Sequence, residues 1–126
     1  MNTKKPFFPI FIILYCLGTL YSSPMQGQQR DMSYHQGITW TWLLGLYYDS
    51  LKNMIKMEKR KTYKIKLEEK LETFIEKVTK TFEKEVNQRG CIGNIAEIYD
   101  SAKPYLPKGA IAQAWSVSEI LRIVSN

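Results

Sequence analysis

Apolar residues recur at helical spacing along three stretches of the chain. Between residues 38 and 57 they fall at Ile38, Trp42, Leu43, Leu46, Tyr47, Leu51, Met54 and Ile55. This spacing predicts a helix with a broad apolar face over 38–57. Gly45 lies inside it and costs about 1 kcal/mol relative to alanine, so it points to close packing against a neighbour. A second stripe runs through Leu67, Leu71, Phe74, Ile75, Val78, Phe82 and Val86, with Glu and Lys on the other faces. It predicts an amphipathic helix over 62–89, about seven turns long at 3.6 residues per turn. Gly90 is well placed to stop it. A third helix is expected after residue 109, with Ile111, Ala114, Trp115, Ser118, Leu121 and Val124 on or near one face.

The segments between these stripes differ in kind. Residues 58–66 are dense in charge, with Lys59, Arg60, Lys61, Lys64 and Lys66. Only Tyr63 interleaves them, so the stacking pattern of single-strand nucleic-acid binders is missing. A solvated connection between two helices is the better reading. Residues 90–109 hold Gly90, Gly93, Pro104, Pro107 and Gly109 and read as a long irregular connection, a type that is usually functional in a compact domain. The coarse order is helix, helix, long loop, helix, with no internal repeat and no strand-rich region. The fold class is therefore all-α.

Residues 1–24 stand apart. Lys4 and Lys5 precede an apolar run from Phe7 to Leu17, broken by Pro9, and small polar residues follow. This resembles a secretory signal peptide without a clear cleavage site. The run is well short of the roughly 20 residues that span a bilayer as a helix. An apolar remnant of a larger domain gives the same pattern and is the favoured reading. The chain divides on this basis into 1–24 and 25–126, with a cytoplasmic location expected, or secretion if residues 1–23 act as a signal.

Composition changes little. The apolar fraction of 44% and charged fraction of 24% are ordinary for a globular protein. The net charge of +6 permits an acidic partner or membrane surface but specifies neither. Cys16 and Cys91 make neither a disulfide framework nor a metal spacing, so both are read as free thiols. The aromatic fraction of 13% suits either a core or the flat walls of a sugar pocket.

Chemistry concentrates in two loops. The first carries Tyr34-His35-Gln36-Gly37-Ile38-Thr39-Trp40-Thr41-Trp42-Leu43-Leu44-Gly45, and the second carries Glu97-Ile98-Tyr99-Asp100. A short connection makes consecutive helices antiparallel. The start of helix 38–57 and the end of helix 62–89 then share one end of the pair, and the two loops meet on one rim. Hydroxyl, imidazole, amide, indole and carboxylate groups would converge there, as a carbohydrate pocket requires. Trp40 and Trp42 are two residues apart and cannot share a helix face, so one is expected to face the pocket and the other the core. Trp115, mid-stripe, is expected in the core.

The order Y-H-Q-G-x-x-W with W-L-L-G, then x-E-I-[FY]-D, then P-x-G-x-x-A-Q-A-W-S-V-x-E-I-L-R resembles the C-terminal amylo-α-1,6-glucosidase domain of glycogen debranching enzymes. The resemblance covers about residues 30–126. Its last motif is highly specific, whereas the basic hairpin between motifs is not. It implies a three-helix C-terminal portion of an (α/α)6 barrel with a long active-site loop. It also implies hydrolysis of α-1,6-linked glucose at glycogen branch points with inversion, which needs two carboxyl groups about 6.5–9.5 Å apart. The match makes Glu97 the general base and places Tyr34, His35, Gln36 and Trp40 near the glucose, with Asp100 orienting Glu97 or a hydroxyl. The family's general acid lies far upstream of the first motif, so the chain is expected to be a C-terminal fragment with little activity alone. The implied partners are glycogen or another branched α-glucan and the remainder of the barrel. No cofactor, no metal, no nucleic acid and no stable membrane span are implied. The alternative is a non-enzymatic, small basic helical protein that binds an acidic partner or a membrane surface.

Overall fold

The computed structural model describes residues 38–125. Three helices dominate: α1, Leu43–Met57; α2, Lys61–Gln88; and α3, Ala114–Val124. Each packs against both others. Three two-residue strands, β1 (Thr39–Trp40), β2 (Ile98–Tyr99) and β3 (Pro107–Lys108), form a small antiparallel sheet in the order β1-β2-β3. The molecule is mostly helical, as the periodicity predicts. The sheet was not expected.

Residues 58–60 join α1 to α2 tightly. The Glu58 carboxylate accepts bonds from the Arg60 backbone N–H at 2.9 Å and from Arg60 Nε at 3.0 Å and Nη2 at 2.9 Å. Arg60 holds the Glu58 carboxyl well below its usual range, at about 2. The Arg60 carbonyl accepts the Tyr63 and Lys64 amides as α2 begins. The two helices fold back antiparallel, with Tyr47 near the start of α1 packing on Phe74, halfway along α2, at 4.9 Å. At 1.5 Å per residue α1 is about 22 Å long and α2 about 42 Å. The far end of α2 therefore runs past the start of α1 and reaches the sheet, where Phe82 meets Tyr99 at 6.4 Å. Gly90 adopts φ 56, a left-handed backbone that ends α2 without a Cβ penalty.

The α2 stripe packs as read. Leu67 and Val78 are buried, and Leu71, Phe74, Ile75, Phe82 and Val86 pack against the main core of Tyr48, Val78, Ile95, Ala96, Tyr99, Ile120 and Ile123. Two expectations need correction. The first helix begins at Leu43, not Ile38, because Thr39 and Trp40 pair with Tyr99 and Ile98 of β2. Thr and Trp favour strands, but the partner strand is remote in sequence. The α3 stripe was placed on the wrong face. Ile111, Ala114, Trp115, Ser118, Leu121 and Val124 are all exposed, whereas Ser116, Ile120 and Ile123 are buried. This helix is apolar on two sides, so spacing alone does not choose the inner one.

Gly45 behaves as expected. A Cβ there would overlap the carboxylate of Glu119 on α3 and lie 2.8 Å from Arg122 Nη2. The missing side chain admits a charged cluster in which Arg122 donates to Asp49 of α1 at 2.7 and 3.2 Å and to Glu119 at 3.2 Å. The guanidinium also lies 5.6 Å from the Tyr48 ring centroid. Cys91 is a free thiol, and Cys16 lies outside the described residues. Among the described residues no helix is long and apolar enough to cross a membrane.

Candidate functional site

The sheet positions the residues of interest. Trp40 pairs with Ile98, and Ile98 pairs with Lys108. Glu97 therefore enters β2 and Asp100 leaves it. The site is a three-stranded junction between the end of the first loop, the Glu97 loop and the lead-in to α3. Pairing continues past the strands: the Glu97 amide donates to the Ala110 carbonyl at 2.9 Å, and the Asp100 amide donates to Leu106 at 3.0 Å. The Gln113 amide donates to Ile95 at 2.9 Å, which ties α3 to the same junction.

Glu97 is partly buried and held from two sides. Its own amide donates to Ala110, and its Oε2 accepts the Ala110 amide at 2.9 Å. Gly109, opposite it, adopts φ 70, and a Cβ there would overlap Glu97 Oε2 and lie 3.0 Å from Ile98 Cγ1. Only glycine combines this backbone with this close approach. The spacing Pro107-x-Gly109 thus has a local cause in the seating of Glu97.

Asp100 is buried, and its Oδ1 pairs with Lys108 Nζ at 3.2 Å across the hairpin. Trp40 is buried on the sheet beside Ile38 and Ile98. Its ring meets Trp115 edge-on at 6.0 Å, and Trp42, only partly buried, meets the same ring at 5.9 Å. Trp40 and Trp42 thus both reach Trp115 instead of dividing between pocket and core, because Trp40 lies on a strand and not on the helix. Trp115 is 45% exposed, which corrects its expected place in the core. Tyr34, His35 and Gln36 lie outside the described residues.

Sequence reasoning misses the pairing of Lys108 and the burial of nearby Glu85, and it misplaces Trp115. Lys108 sits within a motif, but its partner Asp100 is set by hairpin register. Trp115 was seen but assigned to the wrong side. Glu85 is a buried carboxylate on α2, paired with Arg89 at 3.6 Å. It stands seven residues after Val78 and three after Phe82, so its place on the apolar stripe was available as a signal. Burial pushes the Tyr99 phenol well up, and the Glu85 carboxylate adds to this.

The motifs of the first loop, the Glu97 loop and the start of α3 thus meet through backbone pairing, an indole cluster and the Gly45 contact. A model of the amylo-α-1,6-glucosidase family matches residues 18–122. The chain belongs to the amylo-α-1,6-glucosidase family. Neither curated proteins nor solved structures gave a match. The family match begins earlier than the motifs, at residue 18 rather than near Arg30, and it covers α1, α2 and all but the last two residues of α3. It places the chain among debranching-type glycoside hydrolases.

Proposed function

We propose that this chain supplies the water-activating side of an inverting α-1,6-glucosidase site that trims glucose from branch points of glycogen or a similar α-glucan. Glu97 is the general base that takes a proton from the attacking water. The observation that carries this reading is the seating of Glu97. Its backbone is paired, its Oε2 is anchored on the Ala110 amide, and Gly109 leaves room for it. Anchoring of this kind suits a base that must hold one geometry during proton transfer.

Trp42 and Trp115 lie over the buried Trp40 near the same junction, and accessible flat rings of this type suit the C–H faces of a pyranose. Asp100 is engaged by Lys108, which fits a role in holding the hairpin around Glu97. The acid that protonates the leaving oxygen comes from elsewhere in an (α/α)6 barrel, so this chain works with further barrel helices.

The test is glucose release from a branched limit dextrin. The purified chain alone should release little or none. Adding a polypeptide with the preceding helices of the family barrel should restore release, and Glu97→Gln should remove it. Substantial release by the chain alone, or by the Glu97→Gln mixture, overturns the reading.

A further inference from the structure

A cavity of about 410 Å³ opens between the start of α1, the outer half of α2 and the β2–β3 hairpin. Its walls include Leu44, Phe74, Val78 and Phe82. Glu97 and Trp40 are not among the described residues that line it, so it is not the junction described above. Its volume is that of a small-molecule site.

Thr41, Glu85 and Asp100 line this cavity, and each has a buried side-chain oxygen without a hydrogen-bond partner: Thr41 Oγ1, Glu85 Oε1 and Asp100 Oδ2. The Glu85 and Asp100 side chains are 7% and 5% exposed. Leaving such a group unpaired is costly, and each unsatisfied buried group calls for a cause. Three around one cavity point to a common donor.

The charges restrict what that donor is. Each carboxylate is already balanced through its other oxygen, Glu85 by Arg89 and Asp100 by Lys108. Lys77 also lines the space. A cation would meet an excess of positive charge, and an anion would leave the three acceptors unpaired. A neutral molecule with several O–H donors satisfies them, and the aliphatic and phenyl walls call for an apolar face on the same molecule. A pyranose ring has this combination, with hydroxyls around its edge and C–H groups on its faces.

We propose that this cavity is a second, non-catalytic binding site for a neutral polyhydroxylated ring, with Thr41, Glu85 and Asp100 as acceptors. The site does not depend on the role given to Glu97. Titration calorimetry of the full chain with maltose tests it, with glucosamine and cyclohexanol as charged and single-donor controls. Maltose should bind saturably and more tightly than either control. Thr41→Val and Glu85→Gln should each weaken it about tenfold, the loss expected for one good hydrogen bond. Thr41→Val keeps the side-chain shape and removes only an unpaired hydroxyl, so the fold survives even if Glu85→Gln unfolds. Glu97→Gln should leave this affinity unchanged, which separates the cavity from the proposed active site. Absent maltose binding, a preference for either control, unchanged affinity in Thr41→Val, or loss of affinity in Glu97→Gln overturns the proposal.

Discussion

Replacing Gly45 with alanine should change stability with a sign that depends on Glu119. Inside a helix this substitution normally stabilises by about 1 kcal/mol through propensity. Here the new methyl would overlap Glu119 Oε2 and Cδ and crowd Arg122 Nη2. The Glu119 carboxylate must swing away and give up Arg122, whose side chain is 39% exposed against 30% for Glu119. At that exposure the pair is worth well under 1 kcal/mol after screening, taking about 0.3–0.5 as usual for helix pairs. The larger cost is overpacking, about 1–3 kcal/mol, because Arg122 is also held by Asp49 and covers the Tyr48 ring. Gly45→Ala should therefore destabilise the protein by about 1 kcal/mol, net of the propensity gain. Glu119→Ala empties the space, and in that background the same change should stabilise by about 1 kcal/mol. The coupling is then about 2 kcal/mol, within the range for residues in contact. Urea unfolding of the four proteins, followed by far-UV circular dichroism, measures it. Equal stabilisation in both backgrounds would refute the packing argument.

Other consequences follow from the same structure. Gly109→Ala should displace Glu97, because the residue has φ 70 and a Cβ would enter the carboxylate's place; restored glucose release should fall by at least an order of magnitude, about 1.4 kcal/mol in barrier, and unaltered release would count against the seating. Ser116→Ala should be neutral or stabilising, because Ser116 is fully buried and its hydroxyl lacks a partner; a loss above about 1 kcal/mol in thermal melts would reveal a bond to that hydroxyl. The turn between α1 and α2 should weaken in acid. Glu58 is depressed from 4.5 to about 2 by Arg60, so its contribution is complete above about pH 4.5 and lost as pH falls towards 2. Glu58→Gln should remove that part of the acid dependence, and identical acid titrations of the two proteins would exclude it.

Legibility followed the range of the interaction. The α2 stripe was readable because seven apolar positions repeat at helical spacing over a long segment, and one face of that helix is buried. The close packing at Gly45 was readable because a glycine inside a helical stripe points to a near neighbour. The same local reading failed where a choice between equals was decided at a distance. Thr39 and Trp40 were assigned to a helix because nothing nearby announces that Tyr99 and Ile98 will pair with them. Trp115 was assigned to the core because α3 offers two apolar faces, and contacts from α1 and α2 select the one with Ile120 and Ile123.

Long-range contacts also make the motifs interdependent. The W-L-L-G glycine leaves space for the glutamate and arginine of the E-I-L-R motif. The tryptophan that ends β1 touches the tryptophan at the start of α3. The glycine of P-x-G makes room for the glutamate of x-E-I-[FY]-D. Motifs as far apart in sequence as those of Trp40 and Trp115 are thus parts of one packed junction. Substitutions at Gly45, Trp115 or Gly109 should therefore reach Glu97 through geometry, although only Gly109 faces its carboxylate.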